Sequence, residues 1–198
     1  MKKIITILFL FTFAICQDVY PNFSDPKKQL QFERKRIYTK EVSEKDWDHC
    51  NLGSHPFTRY AFLRALEDSG SAIKETGWLG QHLILKESSG AIAAVAPLYL
   101  KNHSYGEYVF DWGWADAYER AGGHYYPKLQ CSVPFTPVTG PRLMVPSDHD
   151  DCRKKQLRLA LASGMIELAK KGPPMSVVEN IYIEKISNND KFISFNIN

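Results

Sequence analysis

The order of the elements predicted along the chain indicates a mixed α/β fold of the α+β kind. A segment with the period of β-strands, residues 81–101, lies between two segments with the period of amphipathic helices, residues 54–70 and 147–172. The totals suit one packed domain, because 198 residues with 44% hydrophobic and 24% charged side chains are ordinary globular values.

The first sixteen residues have the pattern of a signal peptide. Lys2 and Lys3 precede an apolar stretch over residues 4–16, and Ala14 and Cys16 are the small residues that typically precede a cleavage site. A helix over this stretch would extend about 20 Å, less than the hydrocarbon core of about 30 Å, so we expect no stable membrane span. A genuine leader implies the secretory pathway or secretion; a cytoplasmic location is the alternative.

The elements of the first half follow from local patterns. Residues 17–35 are polar and predicted to be a linker, residues 36–41 are predicted to form a first strand, and residues 43–50 a turn or short helix, since Ser43 and Asp46 have capping-box spacing. The main domain is therefore expected over residues 36–186.

A helix is predicted from Ser54 to Gly70. Ser54 can cap it, Pro56 is tolerated in a first turn, and Gly70 supplies a left-handed end. After it, two alternating runs, residues 82–87 and 91–100, flank a turn with glycine and predict an antiparallel hairpin with an edge or bulge near Pro97.

The second half continues with four predicted elements. A short helix is expected within residues 111–120 and a strand over 138–145. Ser147 and Asp150 then precede a helix with an apolar stripe, and residues 177–186 alternate as a strand. The final residues, 187–198, are predicted to be a disordered tail.

Residues 101–122 have an unusual composition. They interleave four carboxylates with three tyrosines and two tryptophans. Aromatic side chains can form the walls of a pocket, and a carboxylate in such surroundings has a pKa raised toward values useful for a general base. The alternative is that the aromatic residues belong to the core and the charges face solvent.

Three segments of the chain resemble the FemAB-like proteins, which are described as predicted N-acyltransferases or peptidoglycan biosynthesis/recognition proteins. They are NLGSHPFTRYAFLRALEDSG at 51–70, APLYLKNHSYGEYVFDWGWADAYERAG at 96–122 and YYPKLQCSVPFTPVTGPRL at 125–143. The resemblance runs from about residue 38 to about residue 183 and covers the N-terminal half of the family's two-part pattern. It implies a GNAT-type fold, with a mixed, mainly antiparallel sheet flanked by helices, and transfer of an acyl or aminoacyl group to an amine.

This resemblance also implies the partners. The acceptor would be an amine on a small molecule, a peptide or an amino sugar, and the donor acetyl-CoA or another acyl-CoA. Aminoacyl-tRNA is the alternative donor; the net charge of +3 gives no support for any other nucleic acid. No metal is expected, because the four cysteines are far apart and form no zinc pattern.

Acyl transfer to an amine needs a base for the amine and an acid for the leaving group. Asp111 is the first candidate base and Glu107 the second, with His103 and His124 as alternatives. Tyr105 or Tyr108 is the candidate acid. Candidate substrate-binding residues from the same segment are Trp112, Trp114, Asp116, Tyr118 and Glu119. The candidate cofactor-binding residues are Thr139, Gly140 and Arg142, because the glycine permits close approach of a ligand and the arginine can pair with a phosphate.

Two other functions stay open. The chain could be a non-catalytic binding module with an aromatic pocket for amino sugars or peptides, or an inactive truncated fragment of a longer enzyme.

Overall fold

The described residues form a mixed α/β fold with antiparallel sheets, as predicted. The computed structural model describes residues 33–51, 55–108, 111–171 and 193–195. In chain order the elements are β1 (Glu33–Ile37), α1 (Glu44–Cys50), α2 (Tyr60–Asp68), β2 (Trp78–Gly80), β3 (His82–Lys86), β4 (Ile92–Ala96), β5 (Tyr99–Lys101), α3 (Trp112–Arg120), β6 (Lys128–Cys131), α4 (Asp151–Lys171) and β7 (Ile193–Phe195).

The strands form two sheets, with orders β1-β3-β4 and β2-β5-β6-β7. The second sheet continues the first, because β2 leads directly into β3 and β4 leads through Pro97 into β5. Between the two strand pairs, the backbone N–H of Gln81 donates to the carbonyl of Leu98 at 2.8 Å. The predicted hairpin is therefore correct, but Pro97, which cannot donate, divides its second arm into two strands.

Two strand predictions need correction. The first strand ends at Ile37, and the residues expected to extend it form a 3-10 turn, Thr39–Glu41. Instead of a strand over 138–145 there is a single bridge between Met144 and Val95. Pro141 in that segment has no N–H to donate, which works against a longer ladder.

Two further differences lie at the ends of the described chain. β1 begins inside the predicted linker of residues 17–35, and β7 lies inside the predicted disordered tail of residues 187–198, where it pairs with β6. The predicted strand over 177–186 falls outside the described residues.

Two of the helices, α1 and α4, begin at a polar side-chain cap. The hydroxyl of Ser43 accepts the N–H of Asp46 at 3.1 Å and starts α1 as predicted. The carboxylate of Asp150 accepts the N–H of Arg153 at 2.9 Å and starts α4. The helix predicted from Ser54 begins later, at Tyr60, after a separate 3-10 turn; Ser54 itself lies outside the described residues.

The hairpin β3–β4 forms the centre of the molecule, with helices on both faces. Leu83 and Leu85 point to one face, where they pack with Leu161 and Met165 of α4. Ile84 points to the other face, into a cluster with residues of α1 and α2 that includes the fully buried Trp47. This alternation is the period of two that the sequence shows over the hairpin.

No helix in the described part of the chain is long and apolar enough to cross a bilayer. The predicted leader, residues 1–16, lies outside the described residues.

Replacing Leu161 by alanine should destabilise the fold. Its side chain is fully buried between α4 and β3, and removal of a buried leucine side chain costs about 2–5 kcal/mol through lost burial and the cavity that remains. Urea unfolding followed by circular dichroism measures the change. Lys155→Ala, at an exposed position of the same helix, is the control, and an equal effect of both substitutions would contradict the assignment of this core.

Candidate active site

Two lysines face each other across the strands β5 and β6. The register pairs Lys101 with Lys128, and both side chains are fully buried. Lysine is almost never fully buried unless it is paired, and like charges directly opposite each other destabilise a sheet. Such a pair needs nearby groups that compensate for its charge.

Lys128 has compensating groups for all three of its ammonium hydrogens. Its Nζ donates to Ser104 Oγ at 2.8 Å, to Glu107 Oε2 at 2.6 Å and to Asp111 Oδ2 at 2.5 Å. An ammonium has three donors and no acceptor, so these three oxygens satisfy it completely. Two of the three partners are carboxylates, Glu107 and Asp111.

Lys101 has poorer compensation. Its Nζ lies 3.4 Å from the ring centroid of Trp78, donates to the carbonyl of Tyr105 at 3.0 Å, and is 3.6 Å from Glu107 Oε1. Burial and the neighbouring charge of Lys128 together lower the pKa of Lys101 from 10.5 to about 7, although Glu107 acts in the opposite direction.

The two carboxylates differ in their electrostatics. Burial raises the pKa of Glu107 above its ordinary value, in spite of the charges of Lys128 and Lys101 beside it. Burial acts on Asp111 in the same direction, but hydrogen bonds, first from Lys128 and then from Ser104, outweigh it and lower the pKa of Asp111. Glu107 is therefore the better proton acceptor at neutral pH, and Asp111 the more firmly ionised group.

Asp111 occupies the N-cap of α3 without capping it. Its side chain makes no cap hydrogen bond; its Oδ2 accepts from Lys128 and from the hydroxyl of Tyr125 at 2.8 Å instead. Its other oxygen, Oδ1, is buried and has no hydrogen-bond partner among the described residues. An aspartate at an N-cap ordinarily accepts a backbone N–H of the first turn, but Asp111 binds the buried cluster instead. Such a departure from a local preference is typical of a functional site.

The loop between β5 and α3 is held by contacts with other strands. Trp78 donates its ring N–H to the carbonyl of Tyr105 at 3.2 Å, and the N–H of Phe135 donates to the carbonyl of Gly106 at 3.0 Å. Gly106 has a φ of +77°, and a Cβ there would lie 2.6 Å from the Phe135 ring, so only glycine fits. Tyr108 also has a positive φ, 55°.

Exposed aromatic side chains surround this loop and the start of α3. They are Tyr105, Tyr108, Trp112 and Trp114, between 54% and 75% exposed, and we call them the aromatic rim. The rings of Tyr105 and Trp112 lie edge to face with their centroids 6.5 Å apart. A group of large exposed apolar side chains next to buried charges is typical of a binding site.

The other residues predicted from this segment are placed around the rim. Asp116 and Glu119 are exposed on α3, while Tyr118 turns toward Tyr125, with ring centroids 6.4 Å apart. His103 stacks against Tyr105, and its Nδ1 accepts the N–H of that residue at 3.2 Å. Burial lowers the pKa of His103.

The residues predicted to bind a cofactor lie on a different loop, before α4. Thr139 is exposed, and its carbonyl lies 2.7 Å from His55 Nε2. A contact with a phosphate needs an arginine side chain at the surface, and Arg142 is not at the surface. Its guanidinium is buried and donates to the carbonyls of Val138 at 2.7 Å and Gly140 at 3.2 Å.

A cleft of about 440 Å³ lies beside this loop. Pro141 and Leu143 line one side of it, and Lys154 and Arg158 of α4 line another. Because Arg142 is turned inward, these two residues of α4 are the basic side chains that a ligand in this cleft would meet.

Sequence reasoning missed the residues that join the cluster. They are Trp78, Lys101, Ser104, Tyr125 and Lys128. One signal was present: Lys101 follows Tyr99 by two positions, so that the period of the strand places it on the same face as a fully buried tyrosine. No local pattern connects Lys101 with Lys128, because their contact depends on the pairing of two strands.

Replacing Lys101 by methionine should change how stability depends on pH. Between its folded pKa of about 7 and its ordinary value of 10.5, Lys101 binds more protons in the unfolded chain, so it makes the free energy of unfolding rise with pH. The rise is at most about 1.4 kcal/mol per pH unit, and Lys101→Met should lack it. Urea unfolding at pH 7 to 9.5 measures both slopes, with Lys155→Met, at an exposed position, as the control. Equal slopes in wild type and Lys101→Met would contradict the low pKa.

Comparison with known proteins adds one finding. A search among curated proteins gives no match, and neither does a search among solved structures. The family model of FemAB-like proteins, described as peptidoglycan biosynthesis/recognition, matches residues 38–191, well over half of the chain. The match includes the buried cluster, the aromatic rim and the cleft beside α4. The chain therefore belongs to the FemAB-like family of peptidoglycan biosynthesis and recognition.

Proposed function

We propose that this chain is an N-acyltransferase that moves an acyl or aminoacyl group onto an amine carried by a peptide or a sugar. The observation that supports this is the pair of buried carboxylates, Glu107 and Asp111, which share the ammonium of Lys128 next to exposed aromatic side chains. Amine acylation requires a general base that can accept a proton near neutral pH. It also requires an adjacent surface that binds the acceptor.

Glu107 is the general base of this proposal. The acceptor must lose a proton before its nitrogen can attack the acyl carbon, and a base works best when its pKa lies near the working pH. Burial moves the pKa of Glu107 upward, toward that range. Asp111, the first candidate from sequence, has a lowered pKa and holds Lys128 and Tyr125 instead, which suits a positioning residue better.

The acceptor amine would bind where Asp111 has a vacant hydrogen-bonding position. Its buried Oδ1 lacks a partner among the described residues, and an unsatisfied buried acceptor is costly unless a ligand donates to it. The rim side chains Trp112 and Trp114 would hold the rest of the acceptor, with Asp116 and Glu119 binding its polar groups. Tyr105, in the rim, would protonate the leaving group.

The acyl donor would bind in the cleft beside α4. Acyl-CoA has an acyl chain and phosphates, and the cleft offers apolar Leu143 with Lys154 and Arg158. Thr139 and Gly140, on the preceding loop, are not among the residues that line this cleft, and the ring of His55 occupies the space beside Gly140. Aminoacyl-tRNA, which also has phosphates, is the alternative donor.

A second function is supported by the aromatic rim alone. Four large exposed aromatic side chains would also suit a module that binds sugars or peptides without modifying them. Acyl transfer and simple binding differ in their dependence on Glu107, which transfer needs and binding by the rim does not.

Glu107→Gln should abolish acyl transfer while the protein remains folded. The glutamine keeps the shape of the side chain but cannot accept a proton, and loss of a general base costs about 100-fold or more in kcat. The measurement is thiol release from acetyl-CoA with a panel of acceptors that contains glucosamine oligomers and amine-bearing peptides. Glu75→Gln, an exposed carboxylate outside the cluster, is the matched control. Full activity of Glu107→Gln would rule out this role, and absence of turnover by the wild type would leave the binding module as the function.

Trp112→Ala should raise the KM for the acceptor about tenfold and leave kcat nearly unchanged. One aromatic contact contributes about 0.5–1.5 kcal/mol beyond its buried area, and this loss affects binding rather than the chemical step. Tyr38→Ala is the control, since Tyr38 is an exposed aromatic residue outside the rim. An equal change in KM for both variants would exclude the rim as the acceptor site.

A further inference from the structure

Two buried lysines opposite each other are hard to explain by stability. Methionine or leucine would fill the position of Lys101 without a desolvation cost, and replacing buried charges by apolar residues is often neutral or stabilising. Lys128 has a structural role, because it binds the loop and the start of α3. The Nζ of Lys101 donates to the carbonyl of Tyr105 at 3.0 Å and lies 3.6 Å from Glu107 Oε1.

We propose that Lys101 and Glu107 share one mobile proton, so that Lys101 receives the proton that Glu107 removes from the acceptor amine. Glu107 is placed for this exchange, because its two oxygens face different lysines, Oε2 toward Lys128 at 2.6 Å and Oε1 toward Lys101 at 3.6 Å. The Nζ of Lys128 donates to three oxygens, whereas that of Lys101 has poorer compensation. Lys101 is the member of the pair that can exist as a neutral amine.

The groups around Lys101 support its role as the lysine that can lose its proton. Burial lowers the affinity of Lys101 for its proton, and the charge of Lys128 from β6 acts in the same direction. The ring of Trp78 from β2, 3.4 Å from Nζ, favours the ammonium. Glu107 and Asp111 raise this affinity. The pKa of Lys101 falls to about 7 and that of Glu107 rises, so the two values approach each other, which lowers the free energy of proton transfer between them.

In the proposed step, an N–H bond of the acceptor's ammonium breaks and an O–H bond forms on Glu107. That O–H bond then breaks as an N–H bond forms on Lys101. The acceptor is left as a neutral amine, Glu107 is again a carboxylate, and Lys101 is an ammonium. As the amide forms, the nitrogen loses its second proton to Tyr105, which gives its own proton to the leaving thiolate, and Lys101 releases the first proton through Glu107 to solvent. Lys101 is fully buried, so it acts through Glu107 and does not touch the acceptor. That the proton comes from an acceptor amine rests on the proposed acyl transfer. That Lys101 and Glu107 share a proton is a property of the folded chain and does not depend on that function.

The sharing can be measured without turnover, by a nitrogen NMR titration of lysine-labelled protein, with the Lys101 signal assigned by its loss in Lys101→Arg. We expect a midpoint near pH 7 for Lys101, about three units below the ordinary value for lysine. In Glu107→Gln the midpoint should fall further, because the charge of Glu107 favours the ammonium. A Lys101 that is still protonated at pH 9, or a midpoint unchanged in Glu107→Gln, would overturn the proposal.

The pH profile of turnover separates this inference from the function on which it rests. In Lys101→Arg the positive charge remains, but arginine cannot give up its proton. We therefore expect kcat to fall at least tenfold while KM stays unchanged. The rise of kcat around pH 7 should also disappear. Unchanged kcat and pH profile in Lys101→Arg would refute the proton transfer to Lys101. If the wild-type chain acylates none of the acceptors, acyl transfer fails as the function, and the titration alone decides whether the proton is shared.

Discussion

The ammonium group of Lys128 connects three parts of the chain that are separate in sequence. From β6 it reaches the loop after β5 through Ser104 and Glu107, and the start of α3 through Asp111. These bonds replace the water that an ammonium loses on burial, and breaking a buried pair from one side costs several kcal/mol because a charge remains without a partner. The positions of Glu107, of the aromatic rim and of α3 all depend on this one group.

A single loop, residues 132–142, contacts both the buried cluster and the neighbourhood of the cleft. Near its start, Phe135 packs against Trp78 with ring centroids 5.4 Å apart and donates its N–H to Gly106. Near its end, Pro141 lines the cleft beside α4. A ligand in the cleft would therefore contact the same loop that borders Trp78, the ring next to Lys101. This loop physically connects the proposed donor site with the proposed acceptor site.

Local sequence patterns predicted the elements that are determined by neighbouring residues in the chain. The stripe that includes Leu161 and Met165 predicted α4, Ser43 predicted the start of α1, and the glycine turn predicted the β3–β4 hairpin. β2 and β6 were missed because they are short and lack alternation; all four residues of β6 are buried although two of them are polar or charged. Glu107 and Asp111 were found because they are close in sequence and flanked by aromatic residues, whereas Lys101 and Lys128 were not, because lysine is ordinarily exposed and their contact is made by strand pairing.

The pairing of Lys101 with Lys128 also has a consequence for assembly of the sheet. On the opposite face of β5 and β6, Leu100 faces Leu129, and both pack into the main core. A slip of β6 by one residue would exchange the faces, so that a lysine entered that core and a leucine met the carboxylates of Glu107 and Asp111. Both errors are costly, so the buried charges select the correct alignment of this short strand, which its few backbone hydrogen bonds alone would specify only weakly.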